Sequence, residues 1–399
     1  MSSAEIRSCP VPADPDRRKS APLAAKNVTP DQGALRVTSA VLGRAVMRSP
    51  ESVQAGAGAE SLHFENPEHA PVFFLDGAPH RRKRMTIAKF LTPKAVTTRH
   101  REIMERTTDD LLAAFKTRGE GRLEDISFEL AVAVVSDILG LTNSPQPARA
   151  KRIERAVRTG TERRSKKWLA RFLQPLRMAY VTAMFWWFDV RPAKNARLAA
   201  PQDDVISHLL SEKYSNKALL IECLTYGSAG MMTTREFIVM AAWYLFERPE
   251  LRERYLASDP AAQLMILMEI LRLEPVAAML HRRVNAAMEL PDGTSVPPGG
   301  LYAVDIRAVN TDEAIVGSCP FALDPDRAAR QKENGRYMSF GDGAHNCPGW
   351  QVALHESRIF LDRLMRIPGV RLKREPDMGW NPGVQGYELR NVIIACDPA

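Results

Sequence analysis

The stretch that decides the fold is Phe340-Gly341-Asp342-Gly343-Ala344-His345-Asn346-Cys347-Pro348-Gly349, followed by a helical pattern from Trp350 to about Met365. Glycines at 341 and 343 let the backbone turn tightly and approach a flat ligand closely. Cys347 stands just ahead of a helix, whose positive end stabilises a thiolate. Gly349 is expected to keep the space beside the sulfur small. A loop of this kind presents one electron-rich thiolate to a metal. A lone cysteine in a glycine-rich turn is usually just a small buried hydrophobe, so the weight falls on the complete pattern F-G-x-G-x-H-x-C-x-G.

That pattern resembles the haem-ligand loop of the cytochromes P-450, and every fixed position of it is matched. The resemblance implies that the Cys347 thiolate is the axial ligand and metal contact of haem b (iron protoporphyrin IX), pushing electron density onto the iron.

Further upstream, a helix is predicted from Pro79 to about Phe90, and in it His80 and Arg84 share one face. Alone, this is a solvated basic helix start. Running into Phe90-Leu91-Thr92-Pro93, it resembles the family helix whose H-x-x-x-R pair binds a haem propionate. A carboxylate suits an arginine fork and a histidine donor. The resemblance assigns His80, Arg84, Arg282 and His345 to the propionates, although His281 and Arg283 flank Arg282 and the assignment can slip by one. Arg82 and Lys83 are expected to face outward, where an acidic electron carrier docks.

From about Asn216 to Phe246 there is no proline, and apolar residues recur at helical spacing, which predicts the longest helix. Gly227 and Gly230 inside it cost about 1 kcal/mol each relative to alanine. A flat macrocycle against the backbone, or a bulge that opens a groove, would compensate; a close helix–helix contact is the commoner reason for such glycines. The segment resembles the distal-helix motif A-G-x-(D/E)-T-T at Ala229, Gly230, Thr233 and Thr234. The resemblance gives Ala229, Gly230 and Thr233 the catalytic role, with the Thr233 hydroxyl holding a water that feeds protons to oxygen. Met232 occupies the acidic position, which leaves the proton route in doubt. Glu236 lies one turn on and can substitute only if it is not spent on a neighbour such as Arg235.

Glu269 and Arg272 alone would be an ordinary helical ion pair. Ahead of the cysteine loop they resemble the family's structural E-x-x-R motif, with Arg327 as the third member. Asn310-Thr311-Asp312 resembles its N-R-D turn with the arginine replaced.

The remaining features bound the answer. The chain has 399 residues, 45% hydrophobic and 26% charged, ordinary for a globular protein with a large core. The net charge of +8 is dispersed and no nucleic-acid motif accompanies it, so nucleic acid is not expected. Cys9, Cys223, Cys319, Cys347 and Cys396 are scattered without C-x-x-C spacing, which argues against a disulfide framework and for a cytoplasmic location. No stretch has signal-peptide or anchor character at the N-terminus. Residues 1–35 read as a disordered leader, and 36–399 as one domain. The usual N-terminal helix and two strands of the family are not found in the first 70 residues. Residues 148–190 are helical in pattern and include the basic run Arg163-Arg164-Ser165-Lys166-Lys167 and the aromatic run Phe185-Trp186-Trp187-Phe188; core or a packed lid is favoured for the aromatics over a membrane-surface patch. Turns at Pro291-Asp292-Gly293 and Pro297-Pro298-Gly299 mark a small β region, and Gly369–Leu372 and Val392–Ala395 read as strands. A turn near Gly383 to Gly386 is expected to enter the pocket.

The expectation is therefore a mainly α protein with a small β region and the cytochrome P-450 fold. The resemblance implies a monomeric haem-thiolate monooxygenase acting on a hydrophobic small molecule with O2. Electrons would come from a ferredoxin- or flavodoxin-type carrier served by an NAD(P)H reductase. A peroxide-driven oxidase, or a haem-binding sensor with weak turnover, are the alternatives.

Overall fold

The computed structural model describes residues 16–28, 33–56, 66–161, 168–291, 293, 295–381 and 385–397. Helix α1 (Ala21–Asn27), strand β1 (Leu35–Val37), helix α2 (Ala40–Arg48) and strand β2 (Ser52–Ala55) come first. Helices α3 (Gly77–Ala88), α4 (Pro93–Thr97) and α5 (Arg99–Arg118) follow, then β3 (Glu120–Arg122) and α6 (Leu123–Leu139). Next come α7 (Gln146–Thr161), α8 (Trp168–Phe185), a π-turn at Trp186–Val190, α9 (Arg191–Ala199) and α10 (Val205–Ser211). Helix α11 (Asn216–Tyr226), a π-segment (Gly227–Met232) and α12 (Thr233–Glu247) make one continuous rod. After α13 (Pro249–Ala257) and α14 (Pro260–Leu273) the chain turns to strands β4 (Met279–Val284), β5 (Met288–Glu289), β6 (Ser295–Val296) and β7 (Leu301–Asp305). Short helices α15 (Ile306–Val309), α16 (Glu313–Val316) and α17 (Arg327–Gln331) lead into the cysteine loop and α18 (Trp350–Met365). Strands β8 (Arg371–Arg374), β9 (Asp377–Asn381), β10 (Gly386–Arg390) and β11 (Ile393–Ala395) close the chain.

Local chemistry explains many of these boundaries. Thr92, Asp204, Ser215 and Asp259 each accept a backbone N–H from the first turn of the helix they precede, the ordinary N-cap bond. Gly119 and Gly140 end α5 and α6 in the left-handed conformation that a side chain disfavours. Helix α6 is apolar nearly all round and is buried nearly all round, as a core helix must be. With α12, α14 and α18 it forms the main core.

The largest sheet has the order β1-β7-β4-β2, with β1 parallel to β7 and the other pairs antiparallel. Its register sets Gln54 opposite Arg282. The expected strands near the C-terminus are β8 and β11, which join β3 in a second sheet. The hairpin of β9 and β10, which the sequence pattern left unread, pairs Trp380 with Tyr387; residues 382–384 of its turn lie outside the described residues, so the expected intrusion there is untraced.

Two expectations are corrected. Residues 16–28, read as part of a leader, belong to the folded body. Ser20 is fully buried, and its N–H and hydroxyl both bind the buried Glu274 carboxylate, which also accepts the Tyr244 hydroxyl at 2.9 Å. This anchor is polar, so hydrophobic periodicity gave no sign of it. Residues 1–15 and 29–32, and the basic run Arg163–Lys167, lie outside the described residues. The first 70 residues do hold short elements, α1, β1, α2 and β2, but not as a helix followed by two strands: α2 separates β1 from β2, which lie at opposite edges of one sheet. Cys319 is disulfide-bonded, whereas Cys223, Cys347 and Cys396 are free thiols. Among the described residues no helix is long and apolar enough to cross a membrane.

Candidate haem-binding site

Asp76, just ahead of α3, ties the start of that helix to the cysteine loop. Its carboxylate accepts the backbone N–H of Gln54 at 3.1 Å and lies 2.9 Å from His345 Nε2. Burial resists ionisation there, but the His345 and Gln54 bonds outweigh it and hold Asp76 below the ordinary carboxyl range. The His345 ring stacks on His80, centroids 4.2 Å apart. His80 is buried and its Nε2 has no hydrogen-bond partner among the described residues. Burial, followed by the charges of His345 and Arg84, pushes its pKa down to about 4, so the ring is neutral at pH 7.

One turn along α3, Arg84 donates to the Asn346 carbonyl. Cys347 and Tyr226 both bear on its charge, so the guanidinium stands between the cysteine loop and the end of α11. On β4, Arg282 and His281 are both buried while Arg283 is half-exposed, so burial sets Arg283 apart from the other two. Arg282 Nη1 donates to Gln54 Oε1 and to the His281 carbonyl, both at 2.7 Å. Burial lowers its pKa to about 10, with Asp76 opposing. The structure thus brings His80, Arg84, Arg282, His345 and Cys347 to one place.

The loop itself is shaped by glycine. A Cβ on Gly343, at φ +67°, would lie 2.2 Å from the Met47 carbonyl oxygen, so no side chain fits. Cys347 is half-buried, and its N–H donates to the Phe340 carbonyl at 2.8 Å. Burial raises the thiol pKa against the pull of the Gly349 amide, Arg84 and the Trp350 amide. The space beside Gly349 is open rather than tight: a Cβ there would meet nothing within 4 Å. The glycine's bare face meets open space, not packed protein. An orphaned imidazole nitrogen, two desolvated guanidinium groups, a thiol receiving two amides and an open glycine face suit a flat, carboxylate-bearing macrocycle with a soft axial position. The residues present fit haem.

The rod of α11 and α12 carries the second part of the site. Gly227 through Met232 is a π-segment, the bulge anticipated as one compensation for its glycines. The other compensation is present too: a Cβ on Gly227 would sit 3.1 Å from Ile153 and one on Gly230 3.4 Å from Val135. Thr233 and Thr234 hydroxyls donate to the carbonyls of Ala229 and Gly230, both at 2.7 Å. Thr233 lines a small cleft whose walls include Val157, Met232, Val276 and Tyr387. Glu236 lines the same cleft but is fully engaged by Arg235 at 3.0 Å, Arg390 at 2.7 Å and the Leu389 N–H at 2.7 Å. It is therefore no free replacement for the carboxyl absent at Met232.

Glu269, Arg272 and Arg327 meet in the interior. Arg272 holds the Glu269 carboxylate through two bonds of 2.8 Å, and Arg327 Nε reaches it at 3.3 Å. Arg272 and Arg327 also bind the carbonyls of Asn310, Pro320 and Val316. Asn310 in turn holds the Met338 N–H and the Ser339 hydroxyl, so the triad braces the chain entering the cysteine loop.

Lys83 departs from expectation. It is buried, not outward: its ammonium binds Glu222 at 2.8 Å and the Ala70 carbonyl at 2.7 Å, 4.9 Å from the Tyr214 ring centroid. This bond ties α3 to α11, and Glu222 supplies the charge that the buried lysine needs. Arg82 alone of the pair is exposed, bound to Glu68. Sequence reading also missed Asp76, Glu222 and Glu356; the last is a fully buried carboxyl on α18. Only their charge in apolar surroundings could have flagged them.

Fold and site together fit a haem-thiolate protein. A profile of the family described as Cytochrome P450 matches residues 264–373. Cytochrome P450 CYP107DY1 of Priestia megaterium is 28% identical over 337 residues, covering 82% of this chain and 77% of that protein. Cytochrome P450 107B1 of Saccharopolyspora erythraea is 28% identical over 331 residues, with 80% and 76% covered. Among solved structures, that of CalO2 superposes with a TM-score of 0.78 at 22% identity, covering 96% of this chain and 97% of the other, a likeness of fold. The chain is thus similar in sequence and fold to the cytochromes P-450, and is an oxidoreductase of their monooxygenase class.

Proposed function

We propose that this chain inserts one atom of O2 into a hydrophobic small molecule, with Cys347 as the residue whose thiolate would hold haem b. Substrate, O2, two electrons and two protons would yield oxygenated product and water. The electrons would come from NAD(P)H through a reductase and a ferredoxin- or flavodoxin-type carrier. When bound, haem would supply the reductive activation of O2 and the oxygen transfer. The chain's own residues do the rest. Cys347 supplies the thiolate, eased toward ionisation by the Gly349 and Trp350 amides and by Arg84. His80, Arg84, Arg282 and His345 would hold the propionates. Ala229 and Gly230 leave room at the π-segment, and Thr233 positions a water and passes a proton at Oγ1. Val157, Met232 and Val276 give the cleft an apolar lining that excludes water and favours a hydrophobic substrate. Glu269, Arg272 and Arg327 keep the cysteine loop in place. The folded body, which takes in residues 16–28 as well as those from 36 on, acts as one domain, monomeric and cytoplasmic.

The observation that carries this reading is the convergence of His80, Arg84 and His345 on the Cys347 loop. The test is the absorption spectrum of the reduced, carbon-monoxide-bound protein. A strongly red-shifted Soret band, lost in Cys347→Ala, is expected; a band typical of nitrogen ligation would overturn it. A second reading, peroxide-driven oxidation, is favoured by Met232 and by the full engagement of Glu236. Product formed with hydrogen peroxide but not with a reductase chain would select it. A haem sensor would show no substrate-dependent NAD(P)H or oxygen consumption with any carrier.

A further inference from the structure

A second cleft lies where the chain ahead of α1 meets the C-terminal end of α12. It shares no lining residue with the cleft beside Thr233. Its volume is about 410 Å³, within the range of small-molecule sites. Arg17 and Arg18 form one wall, Arg248 and Arg254 a second, and residues 321–325, ahead of α17, a third. Four arginines therefore stand around it against one acid, Glu250.

These arginines are not equally free. Arg18 is bound to Asp16 at 2.8 and 2.7 Å. Arg254 pairs with Asp326 at 2.5 Å, but both side chains are solvent-exposed, so the pair is weak and a stronger anion can displace it. Arg17 is exposed. Arg248 is the most telling. Its guanidinium lies over the Tyr244 ring, 4.4 Å from the centroid, which fixes the direction of its fork. Its Nη1 is buried and has no hydrogen-bond partner among the described residues. A buried donor left unpaired is costly, and on a cleft wall a ligand can supply the acceptor. The rest of the lining is largely apolar, with Leu251, Leu323, Pro325 and Phe321. Guanidinium forks suit phosphate, and three of them on separate parts of the chain span more than one anionic group. An inorganic ion would leave the apolar side bare.

We infer that this cleft binds an organic diphosphate with a flat, largely apolar body, a nucleoside diphosphate in kind. Arg17, Arg248 and Arg254 take the phosphates, and Leu251, Leu323 and Phe321 take the body. The site is linked to the cysteine loop through the third wall. Pro320 and Ala322 give their carbonyls to Arg272 at 2.9 and 3.2 Å, and Ala322 also accepts Arg327 at 3.0 Å. A ligand that orders this wall steadies the Glu269–Arg272–Arg327 triad. No part of the haem site touches the ligand, and the test does not depend on turnover.

The experiment is calorimetric titration of the haem-loaded protein with ADP, inorganic pyrophosphate and adenosine. ADP is expected to bind at one site and to raise the thermal midpoint, with the haem absorption spectrum unchanged. Pyrophosphate and adenosine should each bind at least about tenfold more weakly, because each fills only half of the cleft. Arg248→Ala and Arg17→Ala should each weaken ADP binding about tenfold, the loss of one charge-assisted bond. Arg248→Lys keeps the charge without the fork and should not restore it. Arg101→Ala, at an exposed position on α5 outside the cleft, should bind ADP as wild type. Absence of ADP binding at millimolar concentration, or unaltered affinity in both cleft variants, overturns the proposal. So does pyrophosphate or adenosine binding as tightly as ADP, or an ADP-induced shift of the Soret band, which would place the nucleotide at the haem.

Discussion

Glu356 should make the folded protein lose stability as pH rises. Its side chain on α18 is fully buried, and neither carboxyl oxygen has a hydrogen-bond partner of good geometry among the described residues. Burial pushes its pKa from 4.5 to about 8; the Thr234 hydroxyl, already donating to the Gly230 carbonyl, offsets only part of this. Between those values the native state keeps a proton that the unfolded chain releases. Each pH unit then costs about 1.4 kcal/mol of stability. The contribution is intact below 4.5, has fallen by roughly 3 kcal/mol at pH 7, and is spent near 8. Glu356→Gln keeps the shape and cannot ionise. Urea unfolding of the haem-loaded wild type and variant across pH 5 to 8 isolates the term, because all other titrations cancel in the difference. The variant should gain on wild type by about 1.4 kcal/mol per pH unit. Parallel curves would refute the reasoning, since they would mean that the native carboxyl ionises as it does in the unfolded chain.

Other expectations follow from the same geometry. Lys83→Met leaves Glu222 charged and unpaired in the interior and should cost roughly 3–5 kcal/mol, whereas Lys83→Met with Glu222→Leu should recover most of it; denaturant midpoints of the single and double variants measure this. Arg84→Ala should speed haem loss to a scavenging protein about tenfold, the loss of one charge-assisted bond, and an unchanged rate would remove Arg84 from the cofactor set. Gly343→Ala should displace the loop, because its Cβ would sit 2.2 Å from the Met47 carbonyl oxygen; the reduced carbon-monoxide spectrum should then lose its thiolate band.

What was legible in the sequence had local signatures. The cysteine loop, the E-x-x-R helix and the glycine-bearing distal helix each combine residue type with fixed spacing, and each holds its place in the fold. Burial was harder to read. Lys83 sits among five basic or imidazole residues from His80 to Arg84, and nothing local distinguishes the one that turns inward; Glu222, far along the chain, decides it. Likewise Ser20 is held by Glu274, a pairing that no helical or strand period encodes. The hairpin of β9 and β10 alternates too weakly, with Gly379 and Pro382 in its span, to announce itself. Glu236 had been a candidate acid until Leu389 and Arg390, on that same hairpin, claimed its oxygens.

The π-segment at Gly227–Met232 has a consequence for how this site could be altered. A π-bulge is one extra residue accommodated in an otherwise regular helix. Its shape therefore depends on chain length as much as on side chains. Removing a single residue there would let α11 and α12 run straight through while both keep their faces toward α6 and α7. The groove beside Thr233 would close although every neighbouring side chain stayed the same. Insertion and deletion, rather than substitution, are the changes to which this part of the molecule is most sensitive.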